Sequence, residues 1–395
     1  MNKYLSILAL VFAAFGAHAA TLLAPGANDQ VPMKLVAAPQ AKAAAALDRT
    51  PVAVSHMLDG TELDAAPQTF TAQSREFWSD VGETELRSGV KFTTTTPGAL
   101  IRLSPQGGAA AALDPAGVLL RANGRTLSAN DASAAVADAK ALRNAGMSVP
   151  EGTLALRLSA ASGSGEMEIA APHAQGRYLV HVFEPASALV LSFAADRDTA
   201  LVGTPITFHA SLATGTLRLA SGLITAPDGY SADLHFTRAA DGSYAATFTP
   251  DAAHNNGPQL WEAHVFTSTQ SGRLNVLRDA KTAFAVSTPS ARFSGSAQTS
   301  GANGNLQVAL DVAVSNASRY QVSAVLYGTG ADGALHPAAL AQSAAWLSKS
   351  GNIGLGFDAA SVGALHAPFE LRDLRLVDQA NMSVIERRAR ALVID

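Results

Sequence analysis

The chain has 395 residues, no cysteine, and 28 basic against 32 acidic residues, for a net charge of −4 at neutral pH. Lack of cysteine excludes disulfides, thiolate nucleophiles and cysteine metal sites, and no basic stripe marks a nucleic-acid partner. Hydrophobic residues make up 48%, enough for cores in the two or three domains that the length suits, although much of that fraction is alanine, which buries little area per residue.

In chain order, the first element is a predicted secretory signal, residues 1–19. Asn2 and Lys3 form a charged start, Leu5 to Phe15 is a continuous apolar run, and Ala17-His18-Ala19 places small residues where a signal peptidase inspects them. The run is shorter than the ~20 residues a membrane span needs, and no second long apolar run follows. Loss of Lys3 with the signal makes the mature charge −5. This reading puts the protein in the periplasm or outside the cell, with no transmembrane segment after cleavage. Residues 20 to about 60 are Ala-rich and Pro-spotted, an extended lead-in.

From there on, short β runs alternate with turn dipeptides. Val118–Arg121 leads through Asn123-Gly124 to Arg125–Leu127, and Asn-Gly between strands is a strong hairpin signal because both residues tolerate positive φ. Pro227-Asp228-Gly229, Asp241-Gly242, Asn303-Gly304 and Asp332-Gly333 repeat the theme. One helix is expected over Asp131–Ala145, capped by Asn130 and ended by Gly146. Pro/Ser breaks at Glu184–Ser187 and Ser287–Ser290 divide the chain into an N-terminal β-rich domain (20–186), a middle domain (187–287) and a C-terminal β-sandwich domain (288–395). The fold class expected is all-β: tandem β-sandwich domains, with one short helix in the first. A weak internal echo supports the tandem reading. Tyr178-x-x-His181-x-Phe183 and Trp261-x-x-His264-x-Phe266 share a spacing that puts His and Phe on one strand face and the first aromatic on the other.

The middle domain resembles bacterial immunoglobulin-like modules through Gly203–Phe208, Ala226–Gly229, Asp241–Pro250 and Trp261. Gly242 stands two residues before Tyr244, as in modules whose tyrosine hydroxyl locks a corner, but the acidic residue is displaced to position 241. Across most of the mature chain, Arg75–Trp78, Gly89–Phe92, Pro97–Pro105, Tyr320–Gly328, Gln342–Leu347 and Pro368–Asp378 resemble the bacterial domain-of-unknown-function 4785 family. The resemblance implies exported Gram-negative proteins with immunoglobulin-like parts. It supplies no residues of established role.

Candidate chemistry is sparse. Gly328-x-Gly330-x-x-Gly333 has the spacing of a dinucleotide loop, but Asp332-Gly333 and Pro337 predict a hairpin instead. After residue 19 the histidines are His56, His173, His181, His209, His235, His254, His264, His336 and His366, without a His-Glu-x-x-His helix. His209, His235 and His264 fall on middle-domain strands, where one sheet face would make them a zinc set. Asp196, Asp198 and Asp228 fall near loops that would suit calcium. No Gly-x-Ser-x-Gly elbow occurs, and Ser162–Gly165 reads as a flexible turn. Arg372, Asp373, Arg375, Asp378, Arg387, Arg388 and Arg390 read as the solvent face of a sheet, with contact to an anionic surface as the alternative. No catalytic or cofactor-binding residue is assigned, no cofactor is expected, and metal binding is left open. The expectation is an exported, non-catalytic binding or structural protein of the cell envelope that recognises a protein or glycan partner through sandwich loops or edges. The alternative is an exported hydrolase, or an accessory module of one, with its site at a domain junction.

Overall fold

The computed structural model describes residues 18–37, 47–58, 63, 69–107, 112–255, 257–363 and 365–395. The apolar run of the predicted signal lies outside these residues. Among the described residues, no helix is long and apolar enough to cross a membrane.

Six sheets pair into three sandwiches, so the fold is all-β and tandem. In the first sandwich, a sheet ordered Glu76–Val81, Arg177–Phe183, Leu100–Gln106, Leu154–Leu158, Ser133–Asp138 packs on one ordered Val90–Thr94, Gly165–Ala170, Leu119–Ala122, Arg125–Ser128. Phe77, Ile101, Leu103, Leu156, Ile169, Tyr178 and Val180 fill the space between. The middle sandwich joins Thr237–Arg238, Tyr244–Phe248, Ile206–Leu212, Leu191–Ala195 and Thr71–Ser74 to Thr199–Leu201, Leu274–Ser287, Trp261–Ser271, Leu217–Thr225 and Ser231–Leu234. Its core centres on Phe193, Phe208, Trp261 and Phe284. With no disulfide available, the fully buried Trp261 packs against Phe248 and Phe284 at ring-centroid distances of 6.0 and 6.3 Å. The third sandwich sets His18–Thr21, Ala291–Ala302, Asn305–Val314 and Gly351–Phe357 over Val52–Met57, Leu335–Leu347, Ser318–Thr329, His366–Asp378 and Ser383–Ile394.

The hairpins follow their turn residues. Asn123-Gly124 and Asn303-Gly304 both adopt positive φ at both positions (51° and 72°; 52° and 79°), the two-residue geometry whose twist matches flanking strands. The Gly328–Gly333 segment is the hairpin expected, with strand Ser318–Thr329 running through Gly330–Ala334 into Leu335–Leu347.

Three features differ from the sequence reading. The predicted helix at 131–145 is two short helices, Ala129–Ala132 and Ala139–Asn144, around the edge strand Ser133–Asp138. Ser128 and Asp138 supply the caps, and Gly146 ends the second helix at φ 85°. Alanine propensity yields here to pairing with Leu154–Leu158, because a short isolated helix is marginal without an apolar face to bury. Second, residues 20–37 and 47–58, read with the N-terminal domain, lie on the third sandwich, as do His18 and Ala19 of the predicted signal. Leu22 enters its core, Gln30 bridges to Arg387, Val36 bonds to Pro289, and Val52–Met57 adds an edge strand beside Leu335–Leu347. Thr71–Ser74 then pairs with Leu191–Ala195 in the middle sandwich. The chain thus visits the third, middle and first sandwiches in turn, then returns through the middle to the third. Third, Tyr244 Oη donates to Arg218 O at 2.7 Å, a bond far along the chain rather than a local corner. The local corner belongs to Tyr320, whose hydroxyl donates to Asn316 O, four residues upstream, at 2.9 Å.

Candidate functional site

The two echoed strands bring His181 and His264 to one junction. Alternation buries Tyr178, Val180 and Val182 in the first core and turns His181 outward; it buries Trp261, Ala263 and Val265 in the middle core and turns His264 outward. The row Trp78, His181, Arg102 crosses three adjacent strands of the first sandwich in register. Trp78 and His181 stack at 3.8 Å, and the Arg102 guanidinium lies 5.0 Å from the Trp78 ring centre. His181 Nε2 lies 2.8 Å from Glu76 Oε2, and this hydrogen bond holds the Glu76 carboxyl below the usual carboxylate range.

Strand Leu274–Ser287 of the middle sandwich lies against this row. Glu76–Val81 is an edge strand, and its Trp78 N–H donates to Asp279 Oδ2 at 2.7 Å across the junction. Asp279 is 4% exposed, and His264 Nε2, which has no hydrogen-bond partner among the described residues, lies 3.9 Å from its Oδ2. Burial pushes the Asp279 carboxyl up to about 7 and His264 down to about 4. A buried acid with near-neutral affinity for its proton, beside an imidazole, is the arrangement general acid–base chemistry uses.

Behind this row lies a fully satisfied ion pair. Arg278 donates to Glu184 Oε2 at 2.5 Å, to Ser187 Oγ at 2.9 Å, and to the carbonyls of Leu189 and Leu277. Glu184 Oε1 accepts from the N–H groups of Thr95 and Thr96 and from the Thr95 hydroxyl. The Pro/Ser break between domains is therefore tied down by a buried polar network, with Glu184 and Ser187 both buried.

Beside the junction runs an open groove of about 580 Å³. Phe92, Met167 and Leu277 give it apolar surface, and Lys91, Arg121, Arg125, Glu166 and Glu168 line it with charge. Arg121 and Glu168 are ion-paired across neighbouring strands. A second cleft, of about 450 Å³, lies between the middle and third sandwiches and carries Asp196, Asp198, Arg375 and Arg387.

Other residues singled out in the sequence are dispersed. His209 is exposed on one sheet of the middle sandwich, His264 stands on the other, and His235 is exposed between strands. Among the described residues, no three His, Asp or Glu side chains cluster to hold a metal. Asp196 binds its neighbour Arg197, whereas Asp228 accepts from Tyr230 N–H and lies 2.9 Å from His254 Nδ1. His336 contacts Asp332 at the hairpin tip. The C-terminal charges divide between two faces. Glu370 is shared by Arg372 and Arg390, and Asp373 by Arg375 and Arg387. Arg388 and Glu386 form a buried pair, and buried Asp378 accepts from the Ser318 and Ser290 hydroxyls. Sequence reasoning missed Trp78, Glu184, Arg278 and Asp279. The available signal was the pair of successive charges, Arg278-Asp279, inside a long strand that otherwise alternates.

Two family models match the sequence: the domain of unknown function (DUF4785) N-terminal domain over residues 43–184 and the DUF4785 C-terminal domain over 290–395. A search of curated proteins finds no match. Among solved structures, a DUF4785 family protein from Legionella pneumophila is similar at a TM-score of 0.74 and 19% identity, over 92% of this chain and 98% of that one. At that identity the likeness concerns the fold.

Proposed function

The chain belongs to the DUF4785 family, and from that premise we propose that it is an exported, non-catalytic binding protein of the cell envelope. Its sandwiches take a protein or glycan partner through their loops and edges. The observation that carries this reading is the groove beside the first junction, with apolar surface from Phe92, Met167 and Leu277 and a rim of both charge signs. An extended partner gains apolar contact from such a surface and orientation from its rim. The predicted signal at residues 1–19 supports work in the periplasm or outside the cell. Cleavage after Ala19 removes His18 and Ala19 from their partners Thr299 and Gln298 and keeps Ala20 and Thr21 on Ala297 and Ser296, and N-terminal sequencing of the secreted protein is expected to begin at Ala20.

The test is a glycan array and a displayed-peptide library probed with purified residues 20–395, in native form and as the double variant Lys91→Glu, Arg125→Glu. Ligands retained by the native protein and lost by the folded variant support the groove. Ligands held equally by both place recognition elsewhere. The second reading, a hydrolase with a site at a domain junction, draws on buried Asp279 beside His264. It requires turnover of glycoside, ester or peptide substrates that falls at least a hundredfold in Asp279→Asn.

A further inference from the structure

We propose that Asp279 and His264 form a proton-exchanging latch between the first and middle sandwiches: both are neutral while the junction is closed, and both charge when it opens. The proposal is independent of any ligand in the groove. Its basis is geometric. The Asp279 carboxylate is buried, accepts one main-chain N–H from the opposite sandwich, and among the described residues has no cation within ion-pairing distance other than the His264 ring, at 3.9 Å. His264 Nε2 is itself buried and unpartnered. An ionised Asp279 would be uncompensated in the closed junction, and a protonated His264 would be poorly solvated there.

The surrounding charges are otherwise engaged. From the first sandwich, Glu76 is held by His181, and its negative charge adds to the pressure on Asp279 to keep a proton; Arg102 lies over Trp78. Next to Asp279, the Arg278 side chain is committed to Glu184. Lys281 and Glu262 pair with each other at 2.8 Å, and both face His264, the lysine opposing its protonation and the glutamate favouring it. Lys281 and Arg278 lower the Asp279 carboxyl without overcoming burial.

The signs follow from the direction of each shift. Asp279, raised from 3.8 to about 7, binds more proton in the closed state, so alone it would loosen the junction as pH rises through that window. His264, lowered from 6.5 to about 4, binds less, so alone it would tighten the junction as pH rises between those values. Between about pH 4 and 6.5 the two cancel, because opening releases a proton from one group and takes one up on the other. Above that range His264 is neutral in both states while closed Asp279 still holds part of its proton, so opening is favoured as pH rises towards neutrality.

The experiment is hydrogen exchange of the segment containing Trp78, corrected for intrinsic rate, in the full chain from pH 4 to 8. Native protein, Asp279→Asn, His264→Gln and the double variant are compared. Either amide replacement retains hydrogen-bonding groups of similar size. The native opening constant is expected to change little between about pH 4 and 6 and to rise only as neutrality is approached. In Asp279→Asn it falls with rising pH below 6.5 and in His264→Gln it rises, each by roughly tenfold per unit at most, while the double variant is flat. Single variants with parallel or flat profiles overturn the latch, as does a native profile that slopes steadily from pH 4.

Discussion

Arg278 and Glu184 carry one charge each into a region fully shut off from water, and the ion pair alone does not secure that arrangement, since desolvation offsets most of its attraction. What secures it is completeness. Every polar atom of Glu184 and Arg278 that the junction buries meets a donor or acceptor, from Thr95, Thr96, Ser187, Leu189 or Leu277. Arg278→Met leaves Glu184 as an uncompensated buried charge and is expected to cost about 3–5 kcal/mol in denaturant unfolding. In many proteins a buried pair is replaced by two apolar residues at no loss. Here the double variant Arg278→Met, Glu184→Leu is expected to stay destabilised by more than about 1 kcal/mol, because the Thr95 and Thr96 N–H groups lose their acceptor. Full recovery in the double variant would contradict this account.

Among the elements, the segment Ala129–Asn144 shows propensity overruled by a neighbour. Its alanines favour helix, yet Ser133–Asp138 forms an edge strand because Leu154–Leu158 offers a ladder and the stripe a helix would present, Ala132, Val136, Ala139 and Leu142, is half alanine with little area to bury. A synthetic peptide of residues 129–146 is therefore expected to show partial helix by circular dichroism, increasing in trifluoroethanol. The same residues in the intact protein should exchange amide hydrogens as a strand paired on one side. A peptide with no helical signal would point to an intrinsic strand preference instead. The lead-in makes the converse point: residues 20–37 have little regular structure of their own, and Leu22, Asp29 and Gln30 fix them to strands near the other end of the chain.

For the whole molecule, the path out through third, middle and first sandwiches and back makes the third one discontinuous. Its sheets take Ala20 and Thr21 at one edge and Val52–Met57 at another, with Leu22 in the core. A fragment of residues 288–395 therefore leaves two strand edges and one core position uncovered, a condition that favours aggregation. It is expected to be unstable alone and to be stabilised by a peptide of residues 20–58 added in trans, read as a rise in Tm that depends on peptide concentration. Equal stability with and without the peptide would show that the strap is dispensable. The distant pairings also predict slow folding, since the ends must meet before the third sandwich closes.

The amino-acid sequence determined what depends on near neighbours. Asn-Gly and Asp-Gly turns, strand alternation and the absence of cysteine were enough for an all-β sandwich fold, for the hairpin at Gly328–Gly333, and for which faces of the echoed strands carry His181 and His264, because turn geometry and a period of two are local properties. Only the tertiary structure decided that these histidines share a junction, that Asp279 receives the Trp78 N–H, that Glu184 and Arg278 form a closed joint, and that residues 18–37 and 47–58 complete the far domain. Each of these joins residues more than eighty positions apart or, for His264 and Asp279, depends on a second domain to exclude water. Spacing along a chain does not encode such burial, and burial is what shifts a proton or makes a buried charge costly.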